Sequence, residues 1–136
     1  MASSLAHSVR ITNAKEFVHV FKNGYHTHSK FWKIVTSSSG YSFARLGLAI
    51  SKKEYKKAVD RNHLKRLARE TFRVNQSSLG HLDYVIMAKK NHNTSNTEIT
   101  HDLLSLMKKA KNKRTSQWNF CFYLLSKSIN GWSALF

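Results

Sequence analysis

Between Lys57 and Asn75, cations recur at helical spacing: Arg61, Lys65, Arg66, Arg69 and Arg73. At about 100° per residue, with Arg61 as zero, these side chains cover an arc of about 140° that also contains Asn62. Leu64, Leu67, Ala68 and Thr71 take the opposite side, so such a helix buries one stripe and presents a row of guanidinium and ammonium groups. Only Glu70, just beyond the arc, offers a nearby counter-charge. Cations so spaced repel one another by roughly a few tenths of a kcal/mol per pair on a free helix. A polyphosphate reverses that penalty by releasing counterions, and Arg supplies planar paired donors that match phosphate oxygens. The pattern alone also suits an ordinary solvated helix face.

The whole-chain balance weighs against the solvated face. Lys and Arg number 23 against 7 Asp and Glu, a formal charge of +16 over 136 residues, whereas a solvated surface normally mixes both signs. Nucleic acid and an anionic membrane surface are the partners this balance admits. Catalytic chemistry of the protein's own finds little support. The seven acidic residues are scattered and offer no paired carboxylates for a metal-dependent nuclease, and the eight histidines show no triad or metal-ligand spacing. His26 and His28, two apart, could meet a metal on one strand face but lack a third ligand. Neither catalytic nor metal-binding residues are therefore expected. Cys121 is alone, which excludes an internal disulfide and fits a reducing, cytoplasmic setting. Residues Met1 to Arg10 lack a secretory apolar stretch, and the longest apolar run, Phe120 to Leu125, is too short to span a bilayer.

These residues need elements to hold them. Length favours one domain with one modest core. Asn13 to Asn23 reads as a short helix, with Asn13 and Glu16 as a capping box, Gly24 as a left-handed stop, and Ala14, Phe17, Val20 and Phe21 on one face. Tyr25 to Ser29, Phe31 to Thr36 and Ala44 to Ile50 read as strands, with turn chemistry over Ser37 to Gly40. After the long basic helix comes the apolar strand Tyr84 to Ala88. Ser95 and Glu98 then open an amphipathic helix marked by Ile99, Leu103, Leu106, Met107 and Ala110. This order predicts an α/β (α+β) two-layer sandwich, helices packed on a single sheet. The main domain is expected over residues 1–114. An aromatic-rich tail over 115–136 is expected to pack on its own domain, away from the basic helix.

The block Leu46-Gly47-Leu48, Ser51-Lys52-Lys53 and Arg61-Asn62-His63-Leu64-Lys65-Arg66-Leu67-Ala68-Arg69-Glu70 resembles the signature of the bacterial ribonuclease P protein family. Phe17 and Phe21, closed by Gly24, match that family's Phe-x-x-x-Phe helix, and Asp83 to Ala88 matches its last strand. The similarity covers about residues 8–112, and the order of the motifs is more specific than any one of them. The sequence departs from the family in several places. His63 stands where the family usually carries a second Arg, and Lys56 and Lys57 stand where many members have Gly-Asn. Val35 stands where some members place a cleft aromatic.

The resemblance implies a mostly antiparallel sheet of about four strands with one left-handed crossover, the ribosomal protein S5 domain 2-like arrangement. It also implies a subunit of an endoribonuclease whose RNA component carries the catalysis, with Mg²⁺ bound mainly by that RNA. Partners would be ribonuclease P RNA and precursor tRNA, with no membrane and no obligatory protein partner. Ser51, Lys52, Lys53, Arg61, Asn62, Lys65, Arg66 and Arg69 would contact RNA. Phe17, Phe21 and Trp32 would line a cleft for the 5′ leader of precursor tRNA, although spacing alone fits core packing of the two phenylalanines better. A ribosomal or ribosome-assembly RNA-binding protein is the alternative of similar composition, and a peripheral membrane protein is a further one.

Overall fold

A computed structural model describes residues 7–90 and 94–113. In chain order these contain α1 (Ala14–Asn23), β1 (Tyr25–His28), β2 (Trp32–Ser38), β3 (Arg45–Leu48), α2 (Ala58–Asn75), β4 (Leu82–Ala88) and a helix over 96–113, here α3. The strands form one mixed sheet ordered β1-β2-β4-β3. β1 with β2 and β2 with β4 run antiparallel, whereas β3 runs parallel to β4. A parallel pair needs a crossover, and α2 supplies it. The α+β architecture expected from the order of elements is therefore present. The tail over 115–136 lies outside the described residues.

Each face of the sheet carries its own apolar cluster. Trp32, Ile34, Tyr84, Ile86 and Leu46 pack with Leu64, Ala68 and Phe72 of α2 and with Leu103, Leu106 and Met107 of α3. On the other face Val35 and Val85 pack with Ile11 and with Val20 and Phe17 of α1. One helix thus sits on one side of the sheet and two on the other. Beyond β3 the chain covers its own edge: Arg10 bridges Leu46, and Ile11 N–H donates to the Leu46 carbonyl at 2.8 Å.

Two local expectations at α1 are corrected. Asn13 caps the helix, its Oδ1 accepting from Lys15 N–H at 3.0 Å, but Glu16 does not close a capping box. Its carboxylate turns instead to Arg45, at 3.2 Å. Gly24 is no left-handed stop, since its backbone is extended at φ −84° and ψ 162°. Space selects glycine there, because a Cβ would run into the Val20 carbonyl and the Val35 side chain. Gly47 serves the same end at the other end of the helix, where a Cβ would lie 2.9 Å from the Phe17 ring. These two close approaches seat α1 on the sheet.

Arg45 connects the layers. Its Nε and Nη2 donate to Asp83 at 2.9 and 2.8 Å, a bidentate pair whose side chains are 9% and 6% exposed. The Tyr41 ring stacks on the guanidinium, 4.5 Å from ring centroid to Cζ. The hydrogen bonds to Asp83 hold the Arg45 pKa above its ordinary value against the opposing effect of burial. Removing one partner of a buried pair strands the other charge, at a cost of about 3–5 kcal/mol. Asp83→Ala should therefore lower the unfolding free energy by about 3 kcal/mol or more in chemical denaturation. Glu16→Gln, at a partner 37% exposed, should change it by less than about 1 kcal/mol. An Asp83→Ala protein as stable as the parent would show that the pair does not hold β3 to β4.

Candidate nucleic-acid interface

α2 starts at Ala58 without a side-chain cap on its first amides. The carbonyls before it are satisfied from inside the helix. Arg61 Nη1 donates to the carbonyls of Tyr55 and Lys56, both at 2.8 Å. Arg61 is half-buried because it lies near the stripe of Leu64, Ala68, Thr71 and Phe72 that faces the sheet. Of the basic row, Asn62, Arg66 and Arg69 are exposed and Lys65 is half-buried. Arg73 pairs with Glu70 at 2.9 Å. The outward face is therefore carried by Asn62, Lys65, Arg66 and Arg69, and Arg61 also orders the turn before the helix.

That turn follows β3 and displays Ser51, Lys52 and Lys53, all exposed. The Ser51 hydroxyl accepts from Glu54 N–H at 3.3 Å and its carbonyl from Tyr55 N–H at 3.2 Å, which fixes the loop that carries the two lysines. His63 sits on the flank of α2 facing α3, its Nε2 3.0 Å from Asn96 Oδ1. It opens on a pocket of about 460 Å³ that Lys56, Lys57, Lys90 and Asp60 also line.

On the other side of α2, Lys65 and Arg69 meet the α1 face of the sheet. With Arg10, Phe17, Leu46 and Leu48 they line a groove of about 310 Å³ that wraps the β3 edge. Arg10 has its Nε buried without a hydrogen-bond partner. Sequence reasoning missed it, since a single Arg between Val9 and Ile11 belongs to no periodic pattern. Phe17 is half-buried against Gly47, and Phe21 is 36% exposed. Both therefore keep ring surface toward solvent while Val20 between them is buried. Beyond α1 the sheet floor continues with half-buried Lys33, Met87 and Ala49.

Trp32 is not in this cleft. The β2 register places it on the opposite face, wholly buried, with its indole N–H donating to the Ile99 carbonyl at 3.0 Å. It locks α3 to the sheet and has no face left for a base. Phe31, its neighbour, is buried as well. Among the described residues no group of three or more His, Cys, Asp or Glu could hold a metal ion. No helix among them is long and apolar enough to cross a membrane.

Known proteins share this arrangement. The family model described as Ribonuclease P matches residues 5–111. The ribonuclease P protein component of Vesicomyosocius okutanii subsp. Calyptogena okutanii is 38% identical over 109 residues, covering 80% of this chain and 96% of that protein. Among solved structures, the RNase P protein of Staphylococcus aureus superposes with a TM-score of 0.71 at 28% identity, covering 76% of this chain and 95% of that one. The RNase P protein from Thermotoga maritima gives 0.66 at 27%, covering 74% and 96%. The match spans the basic helix, the sheet and the α1 cleft together, and the chain belongs to the ribonuclease P protein family.

Proposed function

We propose that the protein, in the cytoplasm, positions precursor tRNA on a catalytic RNA that removes the 5′ leader, and does none of the bond breaking itself. The observation that carries this is the continuity of two unlike surfaces around the β3 edge. Phe17 and Phe21 offer partly open rings on one side, Asn62 and Arg66 face outward on the other, and Lys65, Arg69 and Arg10 lie between. Rings of that kind stack bases at about 1–3 kcal/mol per base with little regard to sequence. Exposed guanidinium groups on a helix suit the phosphates of a folded RNA. The 5′ leader of precursor tRNA would lie along α1 and the RNA subunit would dock on α2 and on Ser51, Lys52 and Lys53, with no further protein required. On this reading Mg²⁺ is bound mainly by the RNA, and no step passes through the protein. The ribosomal alternative gains nothing from the relatives reported above.

Purified protein alone should leave precursor tRNA intact. Added to a bacterial ribonuclease P RNA, it should restore cleavage at low Mg²⁺, because its cations screen phosphate repulsion that extra Mg²⁺ otherwise screens. Robust cleavage without RNA, lost on mutating one carboxylate, would contradict this.

Arg66→Ala should weaken binding to the RNA subunit by about 1–3 kcal/mol, the scale of a charge-assisted contact. It should also reduce the log–log salt slope by about 0.7–0.9 and leave unfolding unchanged. Arg61→Ala should in addition lower the unfolding free energy by about 1–2 kcal/mol, since two carbonyls lose their donor. Filter binding across salt concentrations, paired with denaturation curves, separates the two. Unchanged affinity and slope in Arg66→Ala would remove α2 from the RNA interface.

A further inference from the structure

β1 places two imidazoles at the outer end of the cleft. Directly opposed residues of an antiparallel pair share a face, and the register sets His26 against Val35 and His28 against Lys33. Both histidines therefore lie on the α1 side. That helix covers the row Val35, Val85 and Gly47, all buried, and ends where Gly24 abuts Val35. The next row is His28, Lys33 and Met87, exposed or half-buried. Lys89, just past β4, folds across to the same corner, its Nζ donating to the Ser29 carbonyl at 2.8 Å. Four basic side chains, from β1, β2 and the residue after β4, thus lie at one rim. The charged groups that act on His28 are Lys89, Lys33 and His26, and none is acidic.

We propose that His26 and His28, with Lys33 and Lys89, form an outer phosphate-binding patch at the mouth of the leader cleft, which takes up a proton when a leader long enough to reach it binds. The inference rests on the leader-cleft assignment above and extends it to residues 5′ of those that stack on α1. Slight desolvation first, then the charges of Lys89, Lys33 and His26, hold the free His28 below the ordinary histidine pKa. A phosphodiester entering among these cations reverses the local field and favours the imidazolium, which donates from both ring nitrogens. The bound pKa then exceeds the free one, so the contact is strongest in mild acid and fades as pH rises through the bound value. Phosphate fits the patch better than a metal does, because the two imidazoles find no third ligand among the described residues.

The test is equilibrium binding of non-cleavable precursor tRNAs, with leaders of increasing length, to protein reconstituted with ribonuclease P RNA. It is run near pH 6 and pH 8 at fixed ionic strength. Comparing long with short leaders removes the titration of every group elsewhere. The affinity gained on lengthening the leader should be about three to ten times larger at the lower pH, the scale of one exposed charge-assisted phosphate contact. In His26→Gln/His28→Gln the gain should be the same at both pH values. In His28→Lys it should stay high at both, because the charge at position 28 no longer titrates. A pH-independent gain in the parent protein, or the parent's pH difference persisting in the double variant, would overturn the patch while leaving the leader cleft standing. No gain with leader length at either pH, while the tRNA body still binds, would overturn the cleft and the patch together.

Discussion

The bidentate pair between Arg45 and Asp83 is the interaction on which the arrangement of this molecule depends. It joins the two strands that run parallel, β3 and β4, at residues that are themselves register partners. Its third donor reaches Glu16 on α1, so the same guanidinium also fixes that helix on its face of the sheet. Taking both charges out of water is costly, and replacing such a pair with apolar residues often does no harm to stability. What the pair supplies here is register. A slip of one residue would turn the β3 side chains to the other face and carry the Ser51 loop and the start of α2 with them.

From that register the division of labour follows. β3 is an edge strand, and the groove around it is the short path between the two faces of the sheet. One face holds Phe17 and Phe21 over an apolar floor, the other carries a helix whose outer side is cationic. A chain with 23 basic and 7 acidic residues repels itself when free, and on the proposed reading two RNA segments on two sides of a thin sheet discharge it at once. Rigid placement matters more than any one contact, since a cleft and a helix a few ångströms out of register could not serve one substrate.

Much of this was legible in the residues. α2, β4 and the helix over 96–113 have the periodicity of one buried stripe or of a strand buried on both faces, and their expected core positions Leu64, Ala68, Ile99, Leu103 and Met107 are buried. What eluded the sequence was direction. In Phe31 to Thr36 only Lys33 breaks an otherwise β-forming run, so alternation offers no means of choosing a face, and the family resemblance places Trp32 in the cleft when it lies in the core. Arg61 belongs to the basic row by spacing, but a wheel centred on it hides that it lies beside the buried stripe, where the carbonyls of Tyr55 and Lys56 in the preceding turn take its donors. Gly24 was legible as a necessary glycine but not for its reason, because close approach to β2 is a tertiary fact. Glu16 had two partners on offer, and the buried Arg45 outcompeted the helix amide.

In the proposed function the α1 face and the α2 face hold different RNA segments at the same time. Site-specific photocrosslinking in the assembled complex with precursor tRNA tests it most directly, with the reactive group placed at position 21 or at position 66. Position 21 should crosslink to the 5′ leader and position 66 to the RNA subunit, in the same preparation. Crosslinks from both positions to the RNA subunit alone, with none to the leader, would contradict it.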